Sequence, residues 1–320
     1  MTSSSVSKPP LGVPLQVLFL FSAYLVHLLV LTKTSLSFPF QLLPNNHGLF
    51  LQIGYDSLAG MICLSFYVRK VLRRSSPPPL PWSIPKSHRP NVVPTLTILL
   101  LAYFSSSVYS PLFSSFFKSL DLSPRMIEAG QVLCSHLCWV GVGCKILSSQ
   151  LPDFFSPSGG WYNFSVRSVN WFKSVLYGYM ISCFVFNVVD SLNAVLLPAS
   201  LFSPEPGLVG RLVSGSTKGD WVAKAIGAIA PCLSAPWWEE VLYRGFLFPS
   251  LTLLLRPLPS LLLSSLIFSS HHLSLTSFFP LFALGAVWGL IYKETGNLWV
   301  VVAIHGLWNS RVFIGGWAGV

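Results

Sequence analysis

The feature that most constrains this chain is a succession of apolar blocks, most of them near the roughly 20 residues a helix needs to cross a bilayer. The sixth is too long for one simple span, and Pro231 and Pro236 are expected to kink it. The blocks are parted by short polar or Pro-rich pieces. Nine blocks read as spans: Val13–Leu31, Leu49–Val68, Val92–Leu112, Met126–Leu147, Phe172–Leu197, Trp221–Leu255, Leu258–Leu273, Phe278–Tyr292 and Leu298–Ile314. In hydrocarbon a segment must satisfy its own backbone donors and acceptors, as a helix does. The expected fold class is therefore all-α, a polytopic transmembrane helical bundle of about 8–9 spans. Only 9% of the residues are charged, against about a quarter in soluble domains, and 320 residues leave no room for a second, soluble domain.

The net charge of +10 does not signal a nucleic-acid partner, because the basic residues lie mainly between apolar blocks without interleaved aromatics. The densest group, Arg69 to Arg89, carries six positive charges and no acid. By the positive-inside rule it faces the cytoplasm or an equivalent compartment such as a plastid stroma. Its Pro and Ser content predicts an extended, mobile loop over 69–90. The Ser-rich tail 1–12 lacks the arginines of a full transit peptide, and the block after it reads as a retained first span. Cys63, Cys134, Cys138, Cys144, Cys183 and Cys232 all fall in apolar segments without metal-finger spacing and read as buried free thiols. Residues 13–170 form an N-terminal set of spans and 171–320 a second set that holds most of the intramembrane polar residues.

Within that second set, "PWWEEVLYRGFLF" places Glu239, Glu240 and Arg244 in an apolar run. An ionisable residue inside a span costs about 2.5–3.5 kcal/mol on insertion scales, so these need partners or a wet cavity. Arg244 follows Glu240 by one helical turn in the favourable order, while Glu239 points about 100° away. Arg244 is thus expected to hold Glu240 and leave Glu239 free to take a proton, with the two roles exchanged as the alternative. Two later spans add His272, four residues after Phe268, and His305, four before Asn309. Histidine and asparagine in apolar spans face a bundle interior. Gly285 and Gly289 between them form a small-xxx-small pair that lets backbones approach. Asp190, Glu128 and His136 read as interior hydrogen bonds or membrane-edge positions, and so does His271.

Glu239–Glu240…Arg244 fits an EExxxR pattern, Phe268…His272 an FxxxH and His305…Asn309 an HxxxN. Together they resemble the CPBP family: type II CAAX prenyl proteases, bacteriocin-processing relatives and abortive-infection proteins. The resemblance runs from about Phe172 to Asn309 and is sharpest from Trp221; the first four spans carry none of it. "APCLSAPWWEEVLYRGFLFPSL" looks closer to plant plastid members than to the animal endoplasmic-reticulum enzyme, which leans the expected membrane toward the plastid. His271 departs from the small residue usual beside the family histidine.

The resemblance implies an intramembrane glutamate endopeptidase. Glu239 would be the general base, His272 would orient the attacking water, His305 and Asn309 would stabilise the oxyanion, and Glu240 and Arg244 would position Glu239. No cofactor is expected. The rival chemistry is a zinc ion on Glu239, His272 and His305, a known type of ligand set, although the spacing is not that of HExxH. Partners would be the membrane and a protein or prenylated peptide substrate. The functional alternative is a non-proteolytic membrane scaffold or assembly factor that retains the fold. A transporter is disfavoured, since no inverted repeat or paired broken helices stand out.

Overall fold

The computed structural model describes residues 12–37, 52–76, 78–156, 159–166, 170–202 and 221–318. Within these the chain is almost wholly helical. The elements are α1 (Val13–Leu29), α2 (Tyr55–Leu72), α3 (Arg89–Ser105), α4 (Tyr109–Lys118), α5 (Pro124–Gln150), α6 (Trp171–Leu196), α7 (residues 221–252), α8 (Pro257–His271), α9 (Leu275–Thr295) and α10 (Leu298–Ala318). A 3₁₀ turn, Ser106–Val108, joins α3 and α4 into one rod. A short antiparallel ribbon pairs Ser35–Ser37 with Gln52–Gly54, Leu36 opposite Ile53. The tail up to residue 11 and the first residues of the second apolar block, 49–51, lie outside the described residues.

The all-α bundle is as expected. Among the described residues, five stretches are long and apolar enough to cross a membrane: Val13–Lys33, Lys86–Lys118, Pro124–Gln150, Trp171–Leu196 and Leu275–Thr295. Others fall short for identifiable reasons. Helix α2 carries Asp56, Arg69 and Lys70, and α8 has 15 residues, about 22 Å at 1.5 Å each. Starts follow the local chemistry: Ser123 accepts a hydrogen bond from Met126 N ahead of Pro124, and Ser274 accepts one from Ser277 N.

The sixth block is one continuous rod, but its prolines do something subtler than a simple kink. It opens into two π-turns, Ala230–Ser234 and Val241–Leu247, around the short α-helical stretch Ala235–Glu240. Ala235 N–H reaches back five residues to Ala230 O. In that register the next donor belongs to Pro236, which has no N–H, so Pro231 O is left without a helical partner.

Lipid tails are as apolar as leucine, so tight packing and hydrogen bonds hold such a bundle together. Helix α6 packs against α2 and α9, and α9 also lies along α8. Gly285 and Gly289 sit at that last contact: a Cβ on Gly289 would stand 2.3 Å from Leu261 Cδ1, and one on Gly285 3.1 Å from Ser265 Cβ. Trp288 Nε1 donates to Ser182 Oγ at 3.0 Å, tying α9 to α6, and Tyr24 OH donates to Leu307 O at 3.0 Å, tying α1 to α10. Trp161, Trp238, Trp288, Tyr179, Phe246 and Phe268 fill the interior, while Leu18, Phe66, Leu101 and Leu196 face outward, as suits a lipid-facing surface.

The basic loop is not the free tether its composition suggests. Trp82 is buried, stacks on Tyr292 and donates Nε1–H to Thr252 Oγ1 at 3.0 Å. Ser83 N donates to Gly160 O at 2.9 Å. One aromatic anchor outweighs the Pro/Ser signal around it. Arg74 pairs with Glu294 at 2.6 Å, so the C-terminal end of α9 lies on the same membrane side as this loop.

Candidate active site

Between its two π-turns, α7 presents Glu239 and Glu240 in different directions, as 3.6 residues per turn requires. Glu240 is fully buried and accepts from Arg244 Nη1 at 2.9 Å. Arg244, itself 2% exposed, sends Nη2–H to the Gly285 carbonyl at 3.0 Å, bridging α7 to α9. Its guanidinium lies over the Phe268 ring, 4.7 Å from the centroid, and near Trp288 at 5.5 Å. Phe268 therefore has a visible job in the FxxxH pattern: a plate with Arg244 on one side and the His272 ring 5.0 Å away.

Glu239 faces the two imidazoles from α8 and α10. Its Oε2 lies 4.0 Å from His272 Nε2 and 3.9 Å from His305 Nε2. Each ring is fixed through its other nitrogen. His272 Nδ1 donates to Phe268 O at 2.8 Å, and His305 Nδ1 to Glu240 Oε1 at 3.0 Å. With a backbone carbonyl and an arginine-paired carboxylate as acceptors, each ring carries a hydrogen on Nδ1 and aims Nε2 at the same carboxylate oxygen. Trp288 lies 4.4 Å from the His305 ring and walls the site. Glu239 Oε2 and Glu240 Oε2 have no hydrogen-bond partner among the described residues. The side chains of Glu239 and His272 are 13% and 30% exposed, which places the mouth of the site beside His272.

Asn309 is differently employed. Its Nδ2 donates to Pro231 O at 2.8 Å, the carbonyl that Pro236 leaves without a helical donor. The HxxxN spacing thus delivers a histidine to the carboxylates and, one turn later, an amide to the first π-turn of the same partner rod.

Two contributors come from the N-terminal spans, where the sequence offers only scattered polar residues. Tyr103 of α3 donates to His271 O at 3.2 Å, with ring centroids 4.5 Å apart. His136 of α5 joins His271, His272 and His305 within electrostatic range of Glu239. The signal for His136 was its presence in a span; nothing local tied it to position 239. Asp190 is exposed.

The constellation can hold a water between a carboxylate and two ring nitrogens, since separations of 3.9–4.0 Å suit one bridging molecule better than a direct bond. As zinc ligands the same three residues would have to draw closer. Among the described residues, the group whose donor atoms all lie within 4.8 Å of one another is a different one, His27, Asp56 and Cys183.

Residues 221–311 match the family model described as type II CAAX prenyl endopeptidase Rce1-like. Neither the comparison with curated proteins nor that with solved structures gave a match. The matched segment holds Glu239, Glu240, Arg244, His272, His305 and Asn309 together, and over it the chain is similar to the Rce1-like family of type II CAAX prenyl endopeptidases.

Proposed function

We propose that this protein is an intramembrane endopeptidase that cleaves peptide bonds in or beside the bilayer, with prenylated CAAX-type proteins as its substrate class, using a water activated by Glu239. The observation that carries the reading is the approach of two imidazole Nε2 atoms, from two helices, to one oxygen of Glu239. A family match over residues 221–311 supports the reaction class and the substrate class.

In the proposed reaction Glu239 takes a proton from water as the hydroxide attacks the scissile carbonyl, and His272 Nε2 orients that water. His305, protonated on both nitrogens against Glu240, donates Nε2–H to the oxyanion. The C–N bond then breaks, and Glu239 returns its proton to the leaving amine. The charges are consistent with an apolar setting. Two carboxylates, the guanidinium and the imidazolium sum to zero at the start. When Glu239 is neutralised, the new oxyanion restores the balance, so no net charge appears in a low-dielectric region, where it would be costly. Asn309, engaged with Pro231 O, is assigned to positioning α7 rather than to the oxyanion. Metal-free hydrolysis is preferred to zinc because the donor atoms of Glu239, His272 and His305 do not all lie within 4.8 Å of one another, as those of His27, Asp56 and Cys183 do.

The test is cleavage of a prenylated CAAX peptide by the full chain in proteoliposomes. Glu239→Gln is expected to lower the rate by about 10²–10⁴-fold, the range for a general base, with folding and insertion unchanged. Unchanged cleavage would reject the reading. Full rescue of a null strain by the Gln variant would favour a scaffold role.

A further inference from the structure

A second convergence of reactive side chains lies outside the matched segment. His27 of α1, Asp56 in the first turn of α2 and Cys183 of α6 meet in the interior; His27 and Cys183 are fully buried and Asp56 is 8% exposed. His27 Nε2 stands 3.6 Å from Cys183 Sγ and 3.8 Å from Asp56 Oδ2. The three donor atoms lie within 4.8 Å of one another. Each of the harder ligands is oriented from behind. Tyr179 OH lies 3.1 Å from His27 Nδ1, leaving Nε2 to face the other two. Asp56 Oδ1 accepts from Ser57 N at 2.7 Å, and Asn187 Nδ2 bonds Ser57 Oγ at 2.8 Å beside the carboxylate.

We propose that His27, Asp56 and Cys183 form a buried site for a divalent transition-metal ion of the zinc class, with three protein ligands and a fourth position for an exogenous donor. Bond lengths near 2.05 Å to nitrogen and 2.3 Å to sulfur, at a tetrahedral angle, put N and S about 3.6 Å apart. The observed separation is 3.6 Å. The N–O separation of 3.8 Å needs to close by only a few tenths of an ångström to reach the roughly 3.4 Å expected for two ligands of one ion, and it is too long for a direct hydrogen bond. Partners such as Tyr179 and Asn187 are the outer contacts that fix ring and carboxylate in metal sites. Charge fits as well: a thiolate and a carboxylate neutralise a dication, so the loaded site is neutral within the bilayer. Binding releases the Cys183 thiol proton to solvent, with no redox change. The ion would clamp α1 and α2 onto α6, fastening spans outside the family match to the bundle that carries Glu239.

The test uses the purified full chain in nanodiscs, stripped with chelator and titrated with Co²⁺ and then Zn²⁺. Wild type is expected to take up one cobalt per chain with a thiolate-to-cobalt charge-transfer absorption, displaced by one equivalent of zinc. Cys183→Ser abolishes the absorption, and Tyr179→Phe, which keeps the ring, weakens affinity about 10–100-fold. Glu239→Gln leaves it unchanged, which separates this site from the proposed catalytic one. Absence of the band in wild type, its persistence in Cys183→Ser, or its loss in Glu239→Gln would each overturn the proposal. If Cys183→Ser does not fold, wild type and Tyr179→Phe decide the matter.

Discussion

Arg244→Ala removes the guanidinium bonded to Glu240. The two side chains are 2% and 0% exposed, so solvent does not screen their interaction. Deleting one member of a buried pair leaves the other charge uncompensated and costs about 3–5 kcal/mol. At about 1.4 kcal/mol per tenfold, the unfolding constant should rise by two to three and a half powers of ten. His305, 3.0 Å from Glu240 Oε1, offers partial compensation and argues for the lower end. Removing both charges together, as Glu240→Gln with Arg244→Met, should recover most of the loss, because an apolar replacement of a buried pair is often near neutral. The measurement is reversible unfolding in mixed micelles of wild type, both single variants and the double. A cost for Arg244→Ala below about 1 kcal/mol, the value of an exposed pair, would refute the reasoning. So would a double variant no more stable than Arg244→Ala.

Asn309→Ala should cost about 0.5–1.5 kcal/mol, the net worth of one hydrogen bond lost at the half-buried Pro231 O, read as a lower unfolding midpoint. Gly143→Ala would set a Cβ 2.2 Å from Trp238 Cζ2; overpacking of about 1–3 kcal/mol follows, with a fall in cleavage rate as Trp238 is pushed beside Glu239. Asn297 accepts from Ser165 N and Trp299 N and donates to Ser165 O, so Asn297→Ala should speed limited proteolysis within residues 159–166, followed by mass spectrometry.

The bundle was legible because apolar blocks of spanning length leave a chain few options. The carboxylate cluster was legible because ionisable residues stand out where hydrocarbon penalises them. The Glu240–Arg244 spacing foretold which carboxylate the arginine would hold, since both lie on one helix. Other features depend on partners distant in sequence. Nothing near Trp82 announces Thr252 and Tyr292 as its anchor, and nothing near His136 or Tyr103 announces Glu239 or His271. His27, Asp56 and Cys183 are single polar residues on three helices, each unremarkable until folded. The π-turns escaped for another cause. Whether a proline kinks a helix or widens it depends on which carbonyl the neighbouring donors choose, and that choice is made by Asn309 and the packed surroundings.

Those widened turns have a consequence for how the rod tolerates change in length. A π-turn is an ordinary helix carrying one surplus residue, so excising a single position from Ala230–Ser234 or Val241–Leu247 need not break the rod. The wide turn would close to an ordinary α-turn and leave the faces on either side of the cut in register, whereas the same deletion in α-helical geometry rotates one side by about 100°. A deletion in the first turn would therefore keep both acids facing α10 and remove the widened carbonyl that Asn309 caps. The rod thus carries its slack in two places, where the loss of one residue is absorbed and the direction of the acids is kept.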